Sequence, residues 1–462
     1  LEMFDFKQVF FFFLSREELF ITAGHITKPI DFLIPLLNDQ KWLRYKLGIG
    51  LSIYNFLSFL KSRPLSWLKK EEIQTLGFHN NQKVLGAWRY QDGLMNDTRL
   101  VIENIIAARQ EGALCLNHAN VVSVMQDQSG ELEVGWFDIL EKSSHTIRTG
   151  LVVNCAGPWV ASMGRVKPGP LANSLRFSRG SHLMFDKQWD NPAILIPMKE
   201  KGRYYFVIPY LNKTLVGTTE YEVKTPTEDP IPTKQEVEEI LSRLADDFPN
   251  SGLDRNSLYY CFAGIRTLFD QESSNSSLSH ISRSHRWSYN QGILSLIGGK
   301  LTSAYNTVEE GFKHVSSIAG LDFTKPLLAK RKLPGQGAIG NVENFVSEAK
   351  QKNIPELIIQ RLVTRYGSLV KYFLDDESMF EVINNQILKG EIEIAIDIEQ
   401  AETIEDIFRR RLDLEFLPEH GLGVIESVAE ILKQKRPNLN IEEEVLNYKN
   451  RVNMLRNLLE LT

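Results

Sequence analysis

Hydrophobic and polar positions follow two rhythms along this chain, and the change of rhythm divides it. In residues 1–75, apolar helical stretches alternate with turns expected at Lys28-Pro29, Ile34-Pro35 and Arg63-Pro64. Residues 80–160 are mixed: 98–107 has helical spacing, and 151–153 reads as a short buried strand. From 165 to 275 strand patterns dominate, at 204–208, 213–218 and 258–263. One helix is expected inside this segment, over 234–248, where Val237, Ile240, Leu241 and Leu244 share a face. A further helix is expected over 304–318. From Leu327 onward Pro334-Gly335-Gln336-Gly337 marks a linker, and the rest reads as helical, with amphipathic helices over 391–412 and 441–461.

A length of 462 residues accommodates roughly three domains, and 43% hydrophobic with 24% charged residues is a globular composition. The net charge of -5 gives no case for nucleic acid. Cys115, Cys155 and Cys261 are scattered, with neither a disulfide framework nor a metal-ligand spacing, which suits a reducing, cytoplasmic compartment. The longest aromatic run, Val9-Phe10-Phe11-Phe12-Phe13-Leu14, is far too short to span a bilayer. Residues 40–70 carry Lys41, Arg44, Lys46, Lys61, Arg63, Lys69 and Lys70 with no acidic residue, interleaved with Trp42, Leu47, Ile49, Tyr54 and Phe56. Such a stretch either lies in the headgroup layer of an anionic membrane or packs as a core helix with a solvated basic rim.

Chemistry concentrates at Gly298-Gly299-Lys300-Leu301-Thr302, where an apolar run (residues 292–297) meets a helix-like stretch. Two glycines there free backbone N–H groups and place the positive end of a helix toward an anion or a reduced flavin. Other segments belong with it: Asn154-Cys155-Ala156-Gly157-Pro158-Trp159, Arg179-Gly180-Ser181-His182, Gly217-Thr218-Thr219, Phe262-Ala263-Gly264-Ile265-Arg266, and Ile281-Ser282-Arg283. In this order and spacing the set resembles the FAD-dependent glycerol-3-phosphate dehydrogenases of the respiratory, aerobic type, over nearly the whole chain.

The resemblance implies an α/β fold of mixed character. Its parts are a helical lead-in (1–75), an FAD-binding Rossmann-like domain lacking its first βαβ unit (76–164 and 276–325), an inserted antiparallel substrate-binding sheet (165–275), and a C-terminal helical domain (326–462). No Gly-x-Gly-x-x-Gly fingerprint occurs in the chain. Leu1 aligns just after the family's first βαβ unit, so on the order of one and a half such units are expected to precede it, with an arginine and a tyrosine of the family's active site.

By the same resemblance, the expected activity is oxidation of glycerol 3-phosphate to dihydroxyacetone phosphate, with FAD as hydride acceptor. Electrons would pass to quinone from the inner face of the cytoplasmic membrane, reached through residues 40–70, and a homodimer is compatible. Arg266, Lys300 and His182 are the catalytic candidates; Arg266, Arg283, Lys300 and Thr302 are the substrate-binding ones. Gly157, Pro158, Trp159, Gly264, Gly298, Gly299, Lys300, Leu301 and Thr302 are expected to line FAD. Arginine suits a phosphate because its planar fork donates paired hydrogen bonds. His182 suits proton transfer if its pKa lies near the ordinary value. Thr267, Glu220 and Ala304-Tyr305 depart from the family's usual proline, aspartate and Tyr-Arg. Two alternatives stay open: an oxidase that uses oxygen, and a non-catalytic remnant that does not retain FAD.

Overall fold

The computed structural model describes residues 6–57, 63–75, 78, 84–162, 174–198, 203–270, 284–321 and 331–460. In chain order the first elements are α1 (Phe6–Thr22), β1 (Thr27–Leu37), α2 (Lys41–Leu57), β2 (Ser66–Leu68), α3 (Lys70–Gln74), β3 (Val84–Met95) and α4 (Asp97–Gln110). A meander follows, β4 (Ala119–Gln126), β5 (Leu132–Asp138) and β6 (Ser143–Thr149), then β7 (Val152–Asn154). Next come β8 (Leu175–Phe185), β9 (Ala193–Pro197), β10 (Tyr204–Tyr210), β11 (Lys213–Gly217), β12 (Tyr221–Val223), α5 (Lys234–Asp247) and β13 (Leu258–Phe269). β14 (Arg286–Asn290), β15 (Ile293–Ile297) and α6 (Ala304–Ala319) close this part. The remainder holds α7 (Ile339–Gln351), α8 (Glu356–Tyr366), the short pair β16 (Val382–Ile383) and β17 (Ile387–Leu388), α9 (Lys389–Asp397), α10 (Ile425–Lys435) and α11 (Ile441–Leu459).

Two compact units result. The first comprises Leu1–Arg16, Ile30–Asp92 and His118–Ala329; the second comprises Glu17–Pro29, Gly93–Asn117 and Lys330–Thr462.

The first unit is organised by a nine-stranded sheet in the order β12-β8-β11-β10-β9-β1-β3-β2, with β13 on the other edge of β8. The half around β8 is antiparallel: β10 with β11, β11 with β8, and β8 with β13. The β1 end is covered by α2, whose Leu47 and Leu51 pack with Ile34, Leu36 and Trp88. Gly48 allows this approach, since a Cβ there would lie 2.6 Å from the Trp88 ring. A second sheet runs β14-β15-β7, with β15 parallel to β7. The meander packs on it through Val124, Leu132 and Ile293.

The second unit has two helical cores. One gathers Ile102 and Ile106 of α4 with Phe345, Leu362, Phe373 and Ile394; the other gathers Ile407, Phe408, Val428, Leu432 and Val452. Its ionic core is closed by Arg365, which bonds Glu391 at 3.3 Å, Asp413 at 3.0 Å and the Leu412 carbonyl at 2.7 Å.

Several expectations change. β1 runs straight through Pro29 and Pro35, because proline's fixed φ is compatible with extended chain and only its ladder donor is lost. The short strand before Cys155 is displaced to Val152–Asn154, and Val153 is 46% exposed rather than buried. The helix expected over 391–412 ends at Asp397. Asp406 instead accepts the N–H groups of Glu402 and Thr403, and a π-helical turn, Asp406–Arg411, follows. The expected linker at Pro334 is packed: Gly335 N–H donates to Glu103 at 2.8 Å, and Gln336 Oε1 accepts from His25 N–H at 3.0 Å.

Candidate active site

Four strands of the first unit align one row of residues in register. Phe206 on β10 pairs with Gly217 on β11, Gly217 with His182 on β8, and His182 with Phe262 on β13. Paired residues share a face of a sheet. The His182 ring therefore stacks on Phe262 with centroids 4.9 Å apart, lies 5.5 Å from Phe206, and covers Gly217, where any Cβ would overlap it.

Two residues further along the same face the pairing is Gly180 with Gly264, and then Ser178 with Arg266. The Arg266 guanidinium lies over Gly180: a Cβ at that glycine would stand 2.8 Å from both Nη1 and Nη2. Nη2 also donates a long bond, 3.5 Å, to Thr218 Oγ1 at the end of β11. Gly264 has open space where a Cβ would project, and so does Gly157.

The glycine turn meets this strand. Gly298 and Gly299 have φ of 69° and 105°, a region L side chains rarely enter. A Cβ on Gly298 would come within 3.4 Å of the Thr267 carbonyl, next to Arg266. Beyond the turn, Leu301–Ser303 makes a 3-10 turn that leads into α6. The N–H groups of Leu301 and Thr302 stand at its start, where the helix itself supplies no acceptor. The turn Gly157–Trp159 follows β7, the parallel neighbour of β15, and packs beside β13. Asn154 shapes it by donating to the Val160 carbonyl at 3.0 Å and accepting Ala156 N–H at 3.1 Å.

Thus Arg266, His182, Gly264, Gly298, Gly299 and Gly157 come together around β8, β13 and β15. Lys300 is exposed, and its ammonium sits 4.1 Å above the Phe12 ring of α1. Asn306 of α6 also reaches α1, bonding Ser15 at 2.7 Å. Arg283 lies outside the described residues.

His182 departs from expectation in its acidity. Burial, followed by the charge of Arg266, lowers its pKa from 6.5 to about 3, and its Nδ1 is buried with no hydrogen-bond partner. The imidazole is neutral at physiological pH. In the unfolded chain the same ring takes up a proton near 6.5, so the unfolded state binds more protons between about 6.5 and 3. Stability is expected to fall as pH drops through that window. In His182→Asn the fall should be shallower, as thermal midpoints measured from about pH 7 to 4 will show.

The sequence reading missed two features here. Phe206 and Phe262 box the histidine, a relation that needs cross-strand register. Glu236 is buried behind β8 and signalled only by Thr233-x-x-Glu236, a capping-box pattern.

A glycine turn at a strand end, with an arginine on the neighbouring strand and open space at Gly157 and Gly264, suits a flavoprotein oxidoreductase site. The chain belongs to the FAD dependent oxidoreductase family, whose model matches residues 29–304. The model for the C-terminal domain of alpha-glycerophosphate oxidase matches residues 329–437. The aerobic glycerol-3-phosphate dehydrogenase of Bacillus subtilis is 27% identical, over 97% of this chain and 84% of the relative. The D-erythritol 1-phosphate dehydrogenase of Brucella abortus is also 27% identical, over 89% of this chain and 83% of its own. The fold is similar to the FAD complex of glycerol-3-phosphate dehydrogenase from Bacillus halodurans, with a TM-score of 0.74 at 23% identity over 97% and 85% of the two chains.

FAD is the cofactor of this family, and the residues present fit its flavin end. The unfilled spaces at Gly157 and Gly264, and the N–H groups after Gly299, form a cradle open to a flat ring.

Proposed function

We propose that this chain oxidises sn-glycerol 3-phosphate to dihydroxyacetone phosphate and delivers the electrons to a membrane quinone. The supporting observation is the Arg266 guanidinium, spread over Gly180 on the face that carries neutral His182. Names of relatives that act on phosphorylated polyols favour the same substrate class.

The reaction removes a hydride from C2 and a proton from its hydroxyl, leaving a carbonyl. FAD, when bound, supplies the hydride acceptor. Arg266 holds the substrate's anionic group, and Arg283 is assigned to the phosphate by its place in the sequence. His182 accepts the hydrogen bond of the C2 hydroxyl. Beside the Arg266 charge it holds a proton poorly, but a dianion on Arg266 offsets that charge and raises its basicity. The Gly298–Gly299 turn would let a bound flavin approach backbone closely, and the Leu301 and Thr302 N–H groups would stabilise negative charge on it. Lys300 supplies a cation at the mouth of the same helix. Initial rates with a dye acceptor test the substrate: glycerol 3-phosphate should be turned over and glycerol should not. Equal rates would refute phosphate recognition. Quinone-dependent turnover without oxygen uptake would support the dehydrogenase reading; peroxide formation at the same rate would replace it with an oxidase.

Membrane docking is assigned to α2. Its inner face is buried, while Trp42 (79% exposed), Tyr45, Ile49 and Phe56 (77% exposed) form a stripe on the outer one, flanked by Lys41. Among the described residues no helix is long and apolar enough to cross a membrane, so any attachment through α2 is interfacial. The double variant Trp42→Ser/Phe56→Ser should lose about tenfold in co-sedimentation with phosphatidylglycerol vesicles while keeping its dye-linked rate.

A further inference from the structure

Behind the face that carries His182, one buried carboxylate gathers the strands together. Glu236 on α5 has no exposed surface. Its Oε1 accepts from Ser181 Oγ at 2.8 Å, Thr219 Oγ1 at 3.0 Å and Arg179 Nε at 3.3 Å. Its Oε2 accepts Thr233 N–H at 2.8 Å and Thr233 Oγ1 at 2.9 Å, and pairs with Arg179 Nη2 at 2.7 Å.

A capping box needs only the reciprocal pair with Thr233. The other donors come from the segments that carry Gly180, His182 and Thr218. Side chains alternate along β8, so Arg179 and Ser181 face Glu236 while Gly180 and His182 face Arg266. Thr219 links the two segments: its hydroxyl accepts Ser181 N–H at 3.0 Å, and its own N–H donates to the Ser181 carbonyl at 3.4 Å. Burial alone would raise the carboxyl's pKa. The Thr233 N–H, the hydroxyls of Ser181 and Thr233, and the Arg179 charge outweigh it and hold the group below the ordinary value, ionised and accepting.

We propose that Glu236 is a positioning residue of the active site: by tying Ser181 to Thr219 it fixes His182 and Thr218 opposite Arg266. The kinetic side of this inference rests on the substrate reading above; the geometric side does not.

Glu236→Gln keeps the shape but replaces one acceptor oxygen with an NH2 group facing donors. Leu244→Ala, a fully buried position on the same helix, serves as an equally disruptive packing control. In the FAD-loaded chain at low temperature, Glu236→Gln should reduce the rate of flavin reduction by glycerol 3-phosphate about 30-fold or more, with KM nearly unchanged. Leu244→Ala should keep the wild-type rate even where its thermal midpoint falls. The 15N-histidine spectrum gives a readout free of substrate: the His182 ring signals, assigned by their loss in His182→Asn, should shift in Glu236→Gln and stay in place in Leu244→Ala.

If Glu236→Gln does not fold, the pair Ser181→Ala/Thr219→Val removes the same tie and should act in the same direction. A wild-type rate in the tie-breaking variant, an unmoved His182 signal, or an equal loss in Leu244→Ala would overturn the proposal. A wild-type flavin that glycerol 3-phosphate fails to bleach would refute the substrate reading alone, and the His182 signal would then decide this one.

Discussion

Arg266→Ala should lower kcat/KM for glycerol 3-phosphate by about a thousandfold or more, while retained FAD stays near the wild-type level. The guanidinium lies over Gly180, where a Cβ would stand 2.8 Å from both Nη1 and Nη2 and push it aside. On the proposed reading it meets the anion with paired N–H edges, which a lysine's single charged point cannot reproduce. Arg266→Lys should recover only a small part of the loss. Removing the arginine also removes one of the two causes that depress His182, so the histidine's pKa should move up toward 6.5 and shift the acid limb of the remaining activity. Stopped-flow flavin reduction across pH checks both effects. A loss below tenfold would place the anion elsewhere.

The largest stability effect is expected from Arg365→Met in the second unit. Arg365 is only 7% exposed. Burial opposes its charge, but Asp413, Tyr366 and Glu391 outweigh burial and hold the guanidinium more firmly protonated than a free one. Methionine leaves Asp413 without its close cation, while Glu391 keeps Arg361 at 2.6 Å and the Leu388 N–H at 2.9 Å. Leaving a buried charge uncompensated costs about 3–5 kcal/mol. All seven tryptophans lie in the first unit, so their fluorescence reports that unit, whereas far-UV circular dichroism also weighs the helices of the second. The urea midpoint by circular dichroism should fall well below wild type, and a change under about 1 kcal/mol would contradict the assignment.

Strands β10 and β11 and helix α5 were legible because periodicity is a local signal: they lie within one or two residues of their expected bounds, whereas β13 runs on from the expected 263 to Phe269. The glycine turn was legible for a similar reason, since positive φ leaves glycine in the sequence. What escaped depends on partners distant in sequence. Proline reads as a break, yet β1 keeps two because an extended neighbour, β9, pairs with it at Phe32 and Leu33. After α9 ends at Asp397, Asp406 accepts the Thr403 N–H and caps a new turn, which a continuous apolar pattern does not reveal. His182 carried no sequence mark of its low pKa, which arises from burial between Phe206 and Phe262 and from Arg266. Glu236 looked like an ordinary cap because its further donors, Ser181 and Thr219, lie on other strands.

One measurement bears most directly on the central claim: the visible spectrum of the purified chain after incubation with FAD and removal of free cofactor, followed by anaerobic glycerol 3-phosphate. A retained flavin envelope that bleaches on adding glycerol 3-phosphate, and not on adding glycerol, is the expected result. A bound flavin that stays oxidised would contradict the substrate, and a colourless protein would contradict catalysis by this chain.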